Sequence, residues 1–149
     1  MNLEALSKQY AEDGVVKVEG LFSQVEIEEI REQLKRYAEE ITPGLPPNDV
    51  VFEADGVSVR NCWRMEHHDP WFAELAKRES ILAMVAEFVH GEPVLMAVES
   101  FNKPARVGSA VPPHQDNAYF CLTPPDALTV WIAVDAVTEA NGPVSYLLG

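Results

Sequence analysis

Pro112-Pro113-His114-Gln115-Asp116-Asn117-Ala118-Tyr119-Phe120 sets an imidazole and a carboxylate two residues apart, just ahead of a strongly apolar run. The stretch reads as extended backbone. There, residues i and i+2 share a face, so His114 and Asp116 converge while Gln115 turns away. A neutral imidazole nitrogen beside a carboxylate oxygen suits a divalent metal of intermediate hardness such as Fe(II). Two ligands do not complete a site, and a third has to come from elsewhere. The same His-x-Asp spacing recurs at His67-His68-Asp69. Here the context differs, because Asp69-Pro70 reads as a helix N-cap followed by proline at the first helical position. A carboxylate engaged in capping backbone N–H groups is a poor metal ligand, and His67 and His68 become ordinary pre-helix residues.

Downstream of the motif the period is that of strands. Ala127 to Val137 reads as one strand and Val144 to Leu148 as another, with the turn dipeptide Asn141-Gly142 between them. Immediately upstream, Val94 to Phe101 is a third. Before Pro93 the chain is mostly helical. Leu3 to Glu12 is a short amphipathic helix closed at Asp13-Gly14, followed by a strand at Val15 to Glu19. Ser23-Gln24-Val25-Glu26 is a capping box. It opens a helix to about Ile41 whose apolar stripe is Val25, Ile27, Ile30, Leu34 and Tyr37. Val50 to Glu53 and Val57 to Arg60 flank Asp55-Gly56 as a hairpin. The helix opened at Asp69-Pro70 runs through Leu75, and Ile81 to Phe88 is a further helix stopping at His90-Gly91. Helices first and strands afterwards indicate an α+β or helix-decorated, mostly β fold.

The chain has 149 residues, enough for one domain with a real core, and 47% of them are hydrophobic, which excludes disorder. Its net charge is −13, and its eleven Lys and Arg are scattered, which argues against nucleic acid or an anionic membrane as partner. Cys62 and Cys121 sit among apolar neighbours and read as reduced, buried thiols rather than a disulfide framework. The N-terminus carries no signal-peptide pattern, and no segment approaches the ~20 apolar residues of a membrane helix. A cytoplasmic location is expected.

From His114-Gln115-Asp116-Asn117 outward the chain resembles the phytanoyl-CoA dioxygenase family of non-haem iron, 2-oxoglutarate-dependent oxygenases. Asp13-Gly14-Val15-Val16 and the helix from Ser23 look like that family's opening. Phe101-Asn102-Lys103-Pro104 precedes the motif as in the family, and Trp131-Ile132-Ala133-Val134 and Asn141-Gly142-Pro143 follow in order. The resemblance implies a double-stranded β-helix (a cupin-like jelly roll) of two sheets over about 93–149, with helical decoration over about 1–92 in one domain. It implies Fe(II) held by two His and one carboxylate, His114 and Asp116 matching two of these ligands. It also implies 2-oxoglutarate as cosubstrate, O2 as oxidant, succinate and CO2 as products, and hydroxylation of a small organic substrate. No catalytic side chain beyond the metal ligands is implied.

Trp131 matches a family tryptophan beside the cosubstrate, although by residue type alone it is equally a core aromatic. Asn117 and Tyr119 flank the ligands and are candidates for cosubstrate and substrate contact, their facing left open because regular alternation would put Ala118 on the ligand side. Arg60 lies roughly where the family has a basic residue near the 2-oxoglutarate carboxylates; the other reading is a solvated strand-end arginine. Lys103 reads as a surface loop residue. The family's distal His and its carboxylate-binding Arg lie further along than Gly149, so the expected barrel is incomplete. Three explanations fit: a fragment of a longer enzyme, a chain completed by a second chain or by strand exchange, and a folded, non-catalytic metal or small-molecule binding relative. The first is preferred, because Leu147-Leu148-Gly149 breaks off inside a family motif.

Overall fold

The Asn2 side chain accepts from the Ala5 N–H at 3.2 Å and opens helix α1, Leu3–Asp13, in a computed structural model that describes residues 2–89 and 91–148. Gly14, at φ +72°, closes the helix with its N–H on the Tyr10 carbonyl, a left-handed cap that glycine adopts without Cβ strain. The strand expected at Val15 to Glu19 does not form. Extended backbone becomes a strand only when a neighbour supplies the hydrogen-bond ladder, and none pairs with this segment among the described residues.

Helix α2, Gln24–Arg36, starts at the expected capping box. Glu26 accepts from the Ser23 N–H at 2.7 Å, and Ser23 Oγ accepts from the Glu26 N–H at 3.3 Å. It runs on through a π turn, Tyr37–Ile41, and a 3-10 turn, Thr42–Gly44. Ile30 and Tyr37 are buried as the stripe requires, and Ile27 and Leu34 pack beside them. Val25 departs from it, being 80% exposed on the first turn. Burial pushes the Tyr37 hydroxyl up to about 12, with the nearby Cys62, Asp69, Asp49 and Glu66 adding to the rise.

Strands β1, Val50–Phe52, and β2, Val59–Cys62, form the expected hairpin. The Asp55 carboxylate accepts from the N–H groups of Val57 and Ser58 at 2.9 and 2.8 Å, and Gly56 takes φ +69°. β3, Ser100–Phe101, adds antiparallel to β2, giving the order β1-β2-β3. Helices α3, Met65–His68, α4, Pro70–Ala76, and α5, Glu79–Phe88, lie between β2 and β3 in the chain. Asp69 caps α4, accepting from Trp71 N–H at 2.9 Å with Pro70 at the first position, and it also pairs with Arg36. His68 Nε2 lies 2.6 Å from an oxygen of Asp49, which also pairs with Arg64. The second His-x-Asp sequence is thereby consumed by capping and ion pairing. His90 lies outside the described residues.

The core joins these elements. Ile30, Tyr37, Cys62, Met65, Phe72 and Leu75 form one buried cluster, in which the Tyr37 and Phe72 rings meet edge to face at 5.3 Å. Tyr10 stacks on Phe88 at 5.2 Å and holds α1 against α5.

The second half departs most from expectation. The strand expected from Val94 contracts to Ser100–Phe101, and neither Ala127–Val137 nor Val144–Leu148 forms a strand. Val98, Ile132 and Val134 still pack against the core, so alternation survives where pairing does not. Val94, Met96, Tyr146 and Leu147 remain exposed. The expected jelly roll is therefore not assembled among the described residues; what is present is an α+β arrangement of helices on a three-stranded antiparallel sheet. Cys62 is buried as expected, but Cys121 is exposed, because it follows the short helix α6, Asn117–Phe120, at φ +54° rather than lying in a strand. Asn141-Gly142 is a turn as expected: a 3-10 turn over Glu139–Asn141 ends at Gly142, φ +74°. Among the described residues, no helix is long and apolar enough to cross a membrane.

Candidate metal centre

The motif loop is anchored before it reaches His114. Asn102 donates its N–H to the Arg60 carbonyl at 2.8 Å and its side-chain amide to the Val59 carbonyl at 3.1 Å, extending β3 along β2. A turn follows in which Gly108 N–H donates to the Pro104 carbonyl at 2.8 Å. A Cβ on Gly108 would stand 3.0 Å from that oxygen and 3.1 Å from Lys103 backbone, so the turn closes only on glycine without displacement. Ser109 then donates through Oγ at 2.6 Å and N–H at 3.1 Å to Glu53, whose side chain is buried at the end of the hairpin. These two bonds, Oγ first, hold the Glu53 carboxyl below the usual carboxylate range; Arg60, 4.0 Å away, lowers it further, and Asp55 opposes.

His114 Nδ1 lies 2.9 Å from the Pro112 carbonyl, which can only accept, so Nδ1 is the donor and Nε2 is the nitrogen turned toward Asp116. Nε2 stands 3.3 Å from Asp116 Oδ1. The other carboxylate oxygen, Oδ2, accepts from Thr129 Oγ1 at 2.7 Å. The expected convergence of His114 and Asp116 is therefore present but reached differently. Asp116 is not extended: at φ −58°, ψ −34° it leads into α6, and a helical bend brings the two donors together instead of strand alternation.

Two bonds of about 2.1 Å meeting a first-row metal at a right angle put their donor atoms about 3 Å apart. The 3.3 Å separation of an imidazole nitrogen and a carboxylate oxygen thus fits two adjacent ligand positions of an Fe(II) site. Among the described residues, no group of three His, Cys, Asp or Glu converges, so the third ligand is not found there. The surroundings are acidic. Partial burial raises the Glu99 carboxyl, and the charges of Glu66 and Asp116 raise it further; partial burial and Asp116 likewise raise the half-exposed Tyr146 hydroxyl. Carboxylates crowded in this way favour an approaching cation.

The remaining candidates are placed as follows. The Tyr119 ring stands edge-on to His114, 5.6 Å between centroids, and is 72% exposed. The Asn117 side chain accepts from the Leu122 N–H at 3.3 Å and closes α6 locally. Trp131 is half-exposed, one residue off the alternation by which Ile132 and Val134 face the core. Arg60 is a quarter exposed, faces Glu53 at 4.0 Å and lies over the Phe101 ring at 5.8 Å. Lys103, read as a loop residue, reaches across to the Gly142 carbonyl at 2.7 Å. Sequence reasoning missed Thr129 and Glu99. Thirteen residues separate Thr129 from Asp116, and only the fold joins them.

Comparison with known proteins gives a concordant result. A family model, phytanoyl-CoA dioxygenase, matches residues 10–149. L-Proline trans-4-hydroxylase of Streptomyces griseoviridis is 25% identical over 145 residues, 95% of this chain and 52% of the relative. A probable alpha-ketoglutarate-dependent hypophosphite dioxygenase of Stutzerimonas stutzeri is 27% identical over 148 residues, 95% of this chain and 51% of the relative. A phytanoyl-CoA dioxygenase domain-containing protein 1 homolog of Caenorhabditis elegans is 34% identical over 83 residues, 54% of this chain and 28% of the relative. The chain thus spans about half the length of the first two. With a match that runs from the end of α1 through the His114–Asp116 loop to the last residue, the chain belongs to the phytanoyl-CoA dioxygenase family.

Proposed function

We propose that His114 and Asp116 are two of the three protein ligands of an Fe(II) centre in a 2-oxoglutarate-dependent oxygenase that hydroxylates a small organic molecule. The observation that carries this reading is the convergence of Nε2 and Oδ1 at 3.3 Å, with the outer atom of each side chain already hydrogen-bonded. Iron with 2-oxoglutarate and O2 supplies the oxidising power when bound, with succinate and CO2 as co-products. The chain's own residues hold and orient: the Pro112 carbonyl accepts from Nδ1 and orients the imidazole, the Glu53–Ser109 bonds anchor the loop, and the exposed Tyr119 ring, edge-on to His114, is the chain's candidate for substrate contact. Trp131, Asn117 and Arg60 are the chain's candidates for cosubstrate contact. The relatives' names specify L-proline and hypophosphite, both small, which supports a small substrate.

Among the described residues the centre has two ligands, and the apolar side chains of Val94, Met96 and Leu147 are exposed. Both support completion of the jelly roll and of the ligand set by further polypeptide, whether a C-terminal portion or a second chain. A pair with no third ligand among the described residues also favours a second reading, a non-catalytic metal-binding relative on the same scaffold. Fe(II)-dependent conversion of 2-oxoglutarate to succinate, followed in wild type, His114→Ala and Asp116→Ala, separates them. The oxygenase forms succinate and loses it in both variants; uptake of Fe(II) without succinate supports the second reading. Succinate formed equally by His114→Ala contradicts both assignments of the site.

A further inference from the structure

The Asp116 carboxylate has two oxygens, and the structure treats them differently. Oδ1 faces His114 Nε2 at 3.3 Å, whereas Oδ2 is held at 2.7 Å by the Thr129 hydroxyl from a segment thirteen residues along the chain. We propose that Thr129 is a positioning residue for the metal centre, fixing the Asp116 carboxylate so that Oδ1 alone is presented toward the imidazole as a single-oxygen ligand. This inference rests on the reading of His114 and Asp116 as metal ligands.

The Asp116 side chain is 46% exposed, and its carboxylate plane is otherwise free to rotate into water. A carboxylate with one oxygen occupied by a hydroxyl donor keeps the other available to a cation, and loses less freedom when the cation binds. The same logic acts on the neighbouring ligand, where the Pro112 carbonyl holds Nδ1 and leaves Nε2 to face Asp116. The two ligands are therefore oriented from outside by different means: His114 by its own loop, Asp116 by the segment that continues into Trp131. Outer partners of this kind change metal affinity by about 10- to 100-fold when removed. Because this bond is exposed and competes with water, the lower end applies.

The test is a Co(II) titration of the metal-free protein, read by the visible ligand-field absorption, for wild type, Asp116→Ala, Thr129→Val and Thr129→Ser. Thr129→Val keeps the shape and removes the donor; it weakens Co(II) binding about tenfold, whereas Thr129→Ser, which keeps the hydroxyl, binds within about twofold of wild type. Thermal midpoints of the metal-free variants stay together, which a merely structural role for Thr129 would not give. Thr129→Val binding like wild type while Asp116→Ala loses binding overturns the inference and leaves the site standing. A failure of Thr129→Ser to restore binding also overturns it. Wild type without saturable binding, or Asp116→Ala binding as tightly as wild type, overturns the site reading and the inference together.

Discussion

Glu53 shows how a single carboxylate ties the N-terminal half to the candidate site. Its buried side chain accepts two hydrogen bonds from Ser109, five residues ahead of His114, and those bonds hold its carboxyl below the ordinary range. A carboxyl lowered on folding contributes stability that is complete above its unfolded value and lost as pH falls through the lower folded value. The contribution is therefore present above about pH 4.3 and disappears below it. Glu53→Gln removes this term, so the melting temperature of the variant falls less steeply below about pH 4.3 than that of wild type, as thermal melts across that range will show. Parallel acid limbs would mean that the carboxylate is not held by Ser109. None of this was legible in the sequence, where Glu53 is one acidic residue among 24 Asp and Glu. The His114–Asp116 pair was legible through its context, because the same spacing at 67–69 runs into a helix cap and the one at 114–116 does not. Thr129 was not, because its role depends on a partner outside the local sequence.

At the scale of elements, what the sequence announced was whatever is closed by neighbours in the chain. The capping box at Ser23, the Asp55-Gly56 hairpin, the Gly14 cap and the Asp69-Pro70 start all satisfy backbone groups within a few residues. Asp69 does more than its local signal indicated, since Arg36 of α2 pairs with the same carboxylate and so couples α2 to α4. Asp69→Ala loses an N-cap, at about 1 kcal/mol, and also strands Arg36. Breaking a fully buried ion pair costs about 3–5 kcal/mol, but Arg36 is a third exposed and retains water, so the expected total is about 2 kcal/mol by urea denaturation. A cost below about 0.5 kcal/mol would show that the α2–α4 contact is carried by apolar packing alone. The strands expected in the second half failed for the complementary reason. Ala127–Val137 has the alternation of a strand, and Ile132 and Val134 use it to reach the core, but a ladder needs a second backbone that local pattern does not specify.

For the molecule as a whole, stability is divided unevenly. Every buried residue from Ile30 to Phe88 lies in the helices, the hairpin and the turns that join them, whereas residues 103–148 contribute mostly partly buried or exposed side chains. Native-state hydrogen exchange is expected to be slowest at Ile30, Tyr37, Cys62 and Phe72 and to approach the unprotected rate across 127–137 and 144–148. Uniform protection across both halves would contradict the absence of strand ladders there. The same division bears on function, since the His114–Asp116 loop lies in the less protected half and is steadied chiefly by Glu53, Thr129 and the bonds of Asn102. The family resemblance named His114 and Asp116 as candidate ligands; the packing shows which parts of the chain hold their loop.

The measurement that bears most directly on the central claim is an anaerobic titration with Fe(II), with and without 2-oxoglutarate, following the metal-to-ligand charge-transfer absorption. A band that requires both components and is absent from Asp116→Ala is the predicted result. A band of equal strength in Asp116→Ala and His114→Ala would contradict the assignment of this pair as the iron ligands.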